Sequence, residues 1–431
     1  MKFSEAMAFG VAARVTVALL RGGFRVDAFA MSMPTSERMH EALYLLRHGV
    51  PVEDACVRAR DPCPLLLPLS LPLYAIWNTV LGRAVQCAVV LAVEVGVALL
   101  LRHVLLDCRD TRQVARALEP ISSPSLTDGR SARGAFPGTA RQQPIFVASP
   151  AAVALVYFLN PMTVLSTARD VRQPLGQLLA LGAICSAKHG RLIESSCAVA
   201  TAMMMEIHYV TLLLPVYGFL CARTGTSLRG ALSLAVCFCV AAATFTYAVC
   251  ALVGVSPSAA LLAHELHSER NLAPNAGLWW YLFVLLYDRF WDYFLLVQKA
   301  FPLLHIAPIA IRLWHHPLLM ANALMAVGTL SSPTVTASDA AFVLALALTS
   351  PHPSSLIAQG HVAVLTLVAV VCTMPMMWHL WLQAGIANSN YFYFQALVCS
   401  AILHVAAMTL VSSSVSIGRS AGGYNYSSRV E

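Results

Sequence analysis

Apolar residues along this chain fall into long runs with few charges, separated by short polar or proline-bearing breaks. Residues 3–20 are apolar apart from Glu5 and Arg14. No small-residue cleavage site followed by a soluble domain comes after them, so they read as a retained first span and not a signal peptide. Arg14 should snorkel or face the bundle. Residues 21–64 form a first polar loop, expected on the luminal side. Within it His40, Glu41, Leu43, Tyr44, Leu45 and Leu46 have the spacing of a short amphipathic helix lying on the membrane. Residues 65–82 are apolar but broken by Pro68 and Pro72, which suits a kinked or incomplete crossing. A span over 84–106 follows, containing Glu94. Residues 107–144 are rich in Arg, Pro, Gly and Ser, the composition of a flexible linker, and the positive-inside rule makes them cytosolic. Three apolar runs precede that loop, so a cytosolic N-terminus and a cytosolic loop cannot both hold if every run crosses.

From residue 145 the runs come in close order: 145–167, 174–188, 192–222, 230–254, 277–298, 300–313, 317–331, 338–350, 360–383 and 391–412. At roughly 20 residues per full span, they amount with the earlier ones to about 11–13 transmembrane or re-entrant helices. The expected fold is an all-α polytopic membrane protein, residues 1–431 forming a single integral membrane domain with a polar tail over 413–431. The sequon Asn425-Tyr426-Ser427 counts only if that end is luminal.

Composition agrees with the pattern. Hydrophobic residues make up 58% and charged residues 11%, against about 45–50% and about 25% in soluble domains. A net charge of +7 suits loops beside anionic lipid. No basic tract interleaved with aromatics points to nucleic acid. The 12 cysteines are mostly scattered through apolar segments without CxxC or zinc-finger spacing, so neither a disulfide framework nor a metal site is expected. Cofactor and nucleophile templates also fail: there is no GxGxxG, GxxxxGK or GxSxG. His264-Glu265-Leu266-His267 lacks the histidine spacing of a zincin helix. The chain reads as non-catalytic and without a cofactor.

The richest candidate chemistry lies in the stretch from Trp378 to Tyr393. Trp378, His379 and Trp381 close one apolar run, Gly385 supplies a bend, and Asn388, Ser389 and Asn390 precede Tyr391 and Phe392 at the start of the next. Tryptophan and tyrosine favour the headgroup level, which places this turn at a membrane surface. The two amides can donate and accept, and an unmet buried polar group costs about 1–3 kcal/mol. Backbone, water or ligand must satisfy them; capping of the next helix is the structural alternative. Ionisable groups inside apolar runs are the other candidates: Glu94, Glu206, His208, Asp288, Arg289 and Asp292. They suit helix-to-helix glue or subunit assembly better than a proton path.

Three further islands pair a helix break with asparagine or proline: Tyr157-Phe158-Leu159-Asn160-Pro161, Leu272 to Tyr281 including Asn275, and Ser331-Ser332-Pro333-Thr334-Val335. With the Trp378–Tyr393 stretch, and with Pro308-Ile309-Ala310-Ile311-Arg312-Leu313 and His316-Pro317, their order and spacing resemble the phosphatidylinositol-glycan class U (PIG-U) family. The resemblance is close over about 145–170 and 270–400 and only in outline before that. It implies a multi-pass subunit of the GPI transamidase complex in the endoplasmic reticulum membrane. Such a subunit works with the other transamidase subunits, including a cysteine protease-like catalytic one, and helps present the GPI lipid. It also implies a bundle similar to the GT-C glycosyltransferases. On that reading Asn388, Ser389, Asn390, Tyr391, Phe392, Trp378, His379, Trp381 and Asn275 would contact GPI. Two rivals remain from other classes: a GT-C-type mannosyltransferase of GPI biosynthesis, and a GPI-lipid scramblase or transporter. The first lacks its expected DxD in residues 21–64, where Glu53-Asp54 is the nearest acidic pair.

Overall fold

The computed structural model describes residues 2–20, 44–45, 48–50, 80–118, 149–158, 172–224, 228–253, 279–332 and 337–349, together with isolated positions and short runs between 369 and 412. All regular structure among them is helical. The elements are α1 (Phe3–Leu20), α2 (Val80–Leu118), α3 (Pro150–Phe158), α4 (Arg172–Lys188), α5 (Leu192–Met205), a 3-10 turn (Ile207–Leu212) and α6 (Leu213–Thr224). Then come α7 (Leu228–Val253), α8 (Trp279–Leu285), a short 3-10 turn (Asp288–Phe290), α9 (Trp291–Leu313), α10 (Pro317–Ser331) and α11 (Ala337–Leu348).

Local chemistry sets several of these boundaries. The α4–α5 hairpin turns at Gly190, whose φ of 79° is in the left-handed region. There the Gly190 amide donates to Ala187 O and the Arg191 amide to Ser186 O, the paired bonds of a Schellman helix end. α3 starts with Ser149 Oγ accepting from the Ala152 amide at 3.0 Å, and Pro150 sits at its first position, where no amide hydrogen is needed. α10 also begins on a proline, Pro317, and stops where Ser332 turns extended (φ −62°, ψ 137°) ahead of Pro333. A residue before proline is pushed out of the helical region, so that stop is written in the sequence.

The interior is organised around α10. Every residue from Leu318 to Leu330 is buried, and the helix packs against α6, α9, α11 and the 3-10 turn Ile207–Leu212. A second layer joins α2, α3, α4 and α5, with α1 lying on α2 and α3. The large core cluster draws Leu101, Leu105, Tyr157, Phe158, Leu181, Tyr209 and Phe342 from these helices.

Among the described residues, three segments are long and apolar enough to cross a membrane: Cys87–Leu106, Leu228–Ala251 and Trp291–Leu313. Shorter apolar helices cover Leu192–Met205, Ile207–Arg223 and Pro317–Ser331. The wider expectation of 11–13 crossings extends over residues that lie outside the described ones.

Three sequence boundaries are corrected. α2 runs on to Leu118, so residues 107–118 are helix and not the start of a flexible loop. Arg, Leu and Ala favour helix there, and the first proline comes only at Pro120. The apolar run 192–222 is interrupted, because Glu206 takes an extended conformation (φ −150°, ψ 128°) between α5 and the 3-10 turn. The break expected near residue 299 falls instead before α9, at the 3-10 turn Asp288–Phe290. Of the amphipathic helix expected around 40–46, Tyr44 and Leu45 are helical and the remainder is outside the described residues.

Candidate functional site

Two features of the described residues carry polar chemistry into this apolar fold. One is a line of buried polar side chains. Arg14 on α1 pairs with Glu94 on α2, both almost fully buried, and among the described residues no hydrogen bond reaches Glu94 Oε1. The same guanidinium donates through Nε to Phe158 O at 3.3 Å and through Nη2 to Tyr157 O at 3.4 Å, and it lies 4.3 Å from the centre of the Phe158 ring. Tyr157 donates its hydroxyl to Gln177 Oε1 at 2.8 Å, linking α3 to α4.

Further in, Glu206 Oε2 stands 3.1 Å from His208 Nδ1 at the break between α5 and the 3-10 turn. His208 and Tyr209 rings lie 4.4 Å apart. His208 reaches this position because α10 carries Gly328 opposite it: a β-carbon there would sit 3.2 Å from the His208 Cβ. Asp339, in the first turn of α11, is also buried. Asn322 donates its amide to Leu346 O at 3.3 Å, while its Oδ1, the Tyr209 hydroxyl and Thr329 Oγ1 have no hydrogen-bond partner among the described residues.

The second feature joins two of the helix-break islands. Trp279 Nε1, at the start of α8, donates to Leu330 O at 3.0 Å, and Gln298 Nε2, on α9, donates to Ser331 O at 3.2 Å. Both acceptors belong to the last turn of α10, whose terminal carbonyls have no partner within the helix. Ser331 Oγ adds a bond to Gly328 O at 2.8 Å. Trp279 also meets Phe301 of α9 edge-on, at 6.1 Å. Trp279, from the island at 272–281, thus meets the last turn of α10, where the island at 331–335 begins.

Of the predicted contact residues, the structure places His379. Its carbonyl accepts from the amides of Gln383 (2.9 Å) and Ala384 (3.2 Å), Leu380 O accepts from Ile386 at 3.1 Å, and Gly385 has φ 63°. A helix end turning on glycine is what the sequence placed there, and His379 and Ile386 are exposed on it. Asn388, Ser389, Asn390, Tyr391, Phe392, Trp378, Trp381 and Asn275 lie outside the described residues, as do His264 and His267. Arg14 faces the bundle, and Glu94 and His208 are buried as ionisable groups in apolar runs should be when paired. Arg289 and Asp292 are exposed. Sequence reading passed over Gln177, Tyr209, Asn322 and Asp339. The first three are uncharged polar residues in apolar segments, a signal that a search confined to ionisable groups does not register.

The PIG-U family model, described as GPI transamidase subunit PIG-U, matches residues 26–399. The chain is 28% identical over 267 residues to the GPI-anchor transamidase component PIGU of Cricetulus griseus and 27% identical over 267 residues to that of Homo sapiens, matches covering 57% of this chain and 58% of each relative. It is 27% identical over 249 residues to the GPI transamidase component GAB1 of Saccharomyces cerevisiae, covering 57% of this chain and 61% of that protein. The chain thus spans about three fifths of the length of the curated relatives it matches. With a family match over most of its length, on an all-helical fold with membrane-length segments, the chain belongs to the PIG-U family.

Proposed function

We propose that this chain is a non-catalytic, multi-pass subunit of a GPI transamidase complex in the endoplasmic reticulum membrane, which recognises the GPI lipid and presents it for attachment to the C-terminus of substrate proteins. The observation that carries this reading is the family match over residues 26–399, a range that includes the whole Trp378–Tyr393 stretch. A GPI anchor combines lipid tails, inositol phosphate, sugars and ethanolamine phosphates. Its receptor needs an apolar groove with hydrogen-bonding groups at headgroup height. Asn388 and Asn390 supply amides that bond hydroxyls or phosphate oxygens, with Ser389 between them, and Trp378, Trp381, Tyr391 and Phe392 supply the apolar walls. His379 and Asn275 complete the set. Partners on this reading are the other transamidase subunits, among them the cysteine protease-like subunit that performs the exchange. The helices form a GT-C-like bundle that has lost, or never had, glycosyl-transfer groups.

The experiment is complementation of cells lacking this chain with Asn388→Lys and Asn390→Lys variants. Surface display of a GPI-anchored reporter should fall while partner subunits still co-purify. Wild-type display would remove the binding role, and loss of co-purification would make the turn structural. Lipid profiling after depletion separates the reading from a mannosyltransferase: complete GPI accumulates if the chain is a transamidase subunit, and a truncated glycan if it transfers sugar.

A further inference from the structure

The helix ends sort by charge, and contacts along the helices show which ends lie together. Arg14 of α1 meets Glu94 of α2, and nearer the start of α1 the Arg102 guanidinium is 4.8 Å from the centre of the Phe3 ring. The two helices are therefore antiparallel, with Phe3 and Arg102 at one end of the bundle. α3 begins at that end too, because Ala151 and Ala154 pack with Ala6 while Phe158 packs on Gly10. α4 runs alongside α2 in the same direction: Leu178 lies against Gly96, and the rings of His189 and His103 are 5.9 Å apart. The α4–α5 turn thus comes to the same end. The last turn of α6 joins it there, since Arg223 Cδ would be 3.5 Å from a β-carbon on Gly190, and α7 starts just beyond.

Among the described residues, Lys2, Arg102, Lys188, Arg191, Arg223 and Arg229 gather at this end, against the acids Glu5 and Glu194. Both acids are already engaged: Glu5 accepts from the Lys2 amide at 2.8 Å, and Glu194 from Arg191 at 3.1 Å. Past Leu106, α2 goes on to Leu118, and Arg109, Arg112 and Arg116 recur along that extension against Asp107 and Asp110. The opposite end is balanced, its helices carrying Arg83, Arg172, Arg289 and Lys299 against Glu206, Asp288, Asp292 and Asp339.

Exposed apolar side chains are interleaved with the cations of the basic end. Ile193 is 69% exposed close to Arg191, and Leu228 is 77% exposed beside Arg229. A cation next to an exposed apolar chain fits headgroup level, where the charge meets phosphate and the hydrocarbon enters the acyl layer. An excess of Lys and Arg on one side marks the cytosolic side, whose leaflet carries the anionic lipids.

We infer that this end of the bundle is a docking surface for anionic phospholipid headgroups of the cytosolic leaflet, formed by Arg102, the α4–α5 turn, Arg223 and Arg229. α1 then starts at the cytosolic side and α2 returns to it, so between Phe3 and Arg102 the chain crosses an even number of times. A cytosolic N-terminus and a cytosolic loop after α2 hold together. The junction of Trp279 with the end of α10 falls on the luminal side, because α10 runs from Pro317, packed on Gly218, to Gly328, packed on His208. The inference needs only that the chain spans a membrane, and it stands whether or not the chain binds GPI.

Two measurements on the full-length chain test it. In sealed microsomes, an antibody should reach an epitope placed ahead of Met1 without detergent; access only after permeabilisation overturns the inference. In nanodiscs, replacing part of the phosphatidylcholine with phosphatidylserine should raise the thermal unfolding midpoint, and added salt should shrink the rise. Arg223→Glu with Arg229→Glu should lose most of that rise, whereas Arg289→Glu, at the opposite end, should keep it. If the first pair fails to fold, Arg223→Gln with Arg229→Gln decides, with a smaller loss expected. The surface is overturned if the wild-type midpoint ignores phosphatidylserine, or if the paired variants keep the full rise. Loss of a co-purified subunit from the paired variants with the lipid response intact would likewise overturn it and make this end a protein interface.

Discussion

At Gly10 the absence of a side chain sets how closely α1 approaches α3, because the Phe158 ring occupies the space a β-carbon would take. Gly10→Ala has to push aside a ring packed on all sides, and overpacking of this kind costs about 1–3 kcal/mol. The expected result is a lower unfolding midpoint in detergent, with Gly182→Ala as the control, since nothing lies within 4 Å of that glycine's β-carbon direction. A different residue-scale effect arises at His316, between α9 and α10 and outside the long spans. Burial first, and the neighbouring His315 second, hold its imidazole below the ordinary value of 6.5. The folded protein therefore favours neutral His316. Its contribution is complete above about pH 6.5 and is lost as pH falls through the lower folded-state value. His316→Gln should flatten the loss of thermal stability on acidification from about pH 7 to about pH 5. An unchanged acid slope would assign that loss to other groups.

Elements end where backbone chemistry leaves them no choice, and those ends are the legible ones. Proline at the first position and proline after the last residue bracket α10, which the apolar run at 317–331 already delimits. Gly190 and Gly385 likewise announce their turns, both with positive φ. The break at Glu206 was not legible, since no proline or glycine stands between Ala198 and Leu214 and the residues on either side are apolar. What stabilises it is tertiary: His208 and Tyr209 fit against glycines of other helices, Gly328 on α10 and Gly176 on α4. The junction at the end of α10 was equally hidden, because Trp279 and Leu330 are 51 residues apart. Trp279→Phe keeps the ring packing and removes the indole donor, leaving the Leu330 carbonyl short of a bond. A loss of about 1–3 kcal/mol is expected for an unmet buried acceptor, read by thermal unfolding. If Gln298→Leu is added, the sum should fall short of additivity or exceed it, because both donors serve one helix end.

On the scale of the whole molecule, the sequence separates interior from exterior poorly, because most of the described helices are apolar along most of their length. Packing makes the distinction. α10 is buried from Leu318 to Leu330, while α7 presents Leu232, Val236, Val240 and Tyr247 outward, and α9 presents Leu296, Leu303, Leu304 and Ile311. At 1.5 Å per residue, the 26 residues of α7 extend about 39 Å, beyond the roughly 30 Å of a hydrocarbon core. An outward apolar face of that length is matched to lipid tails, whereas the polar side chains Arg14, Glu94, Gln177, His208, Asn322 and Asp339 are all turned inward. The arrangement predicts which substitutions the membrane itself will reject. Val236 lies about a third of the way along α7 and is 59% exposed, so Val236→Arg places a cation against lipid on a helix that carries no acidic residue. The insertion cost for arginine at a helix centre is about 2.5–3.5 kcal/mol. Val236→Arg should lower the fraction of the chain resistant to alkaline extraction from membranes, while Val236→Leu should leave it unchanged. If the arginine variant inserts like wild type, the outward face of α7 meets water or an acidic partner instead of lipid, and the inside-out ordering of this bundle has to be redrawn around that helix.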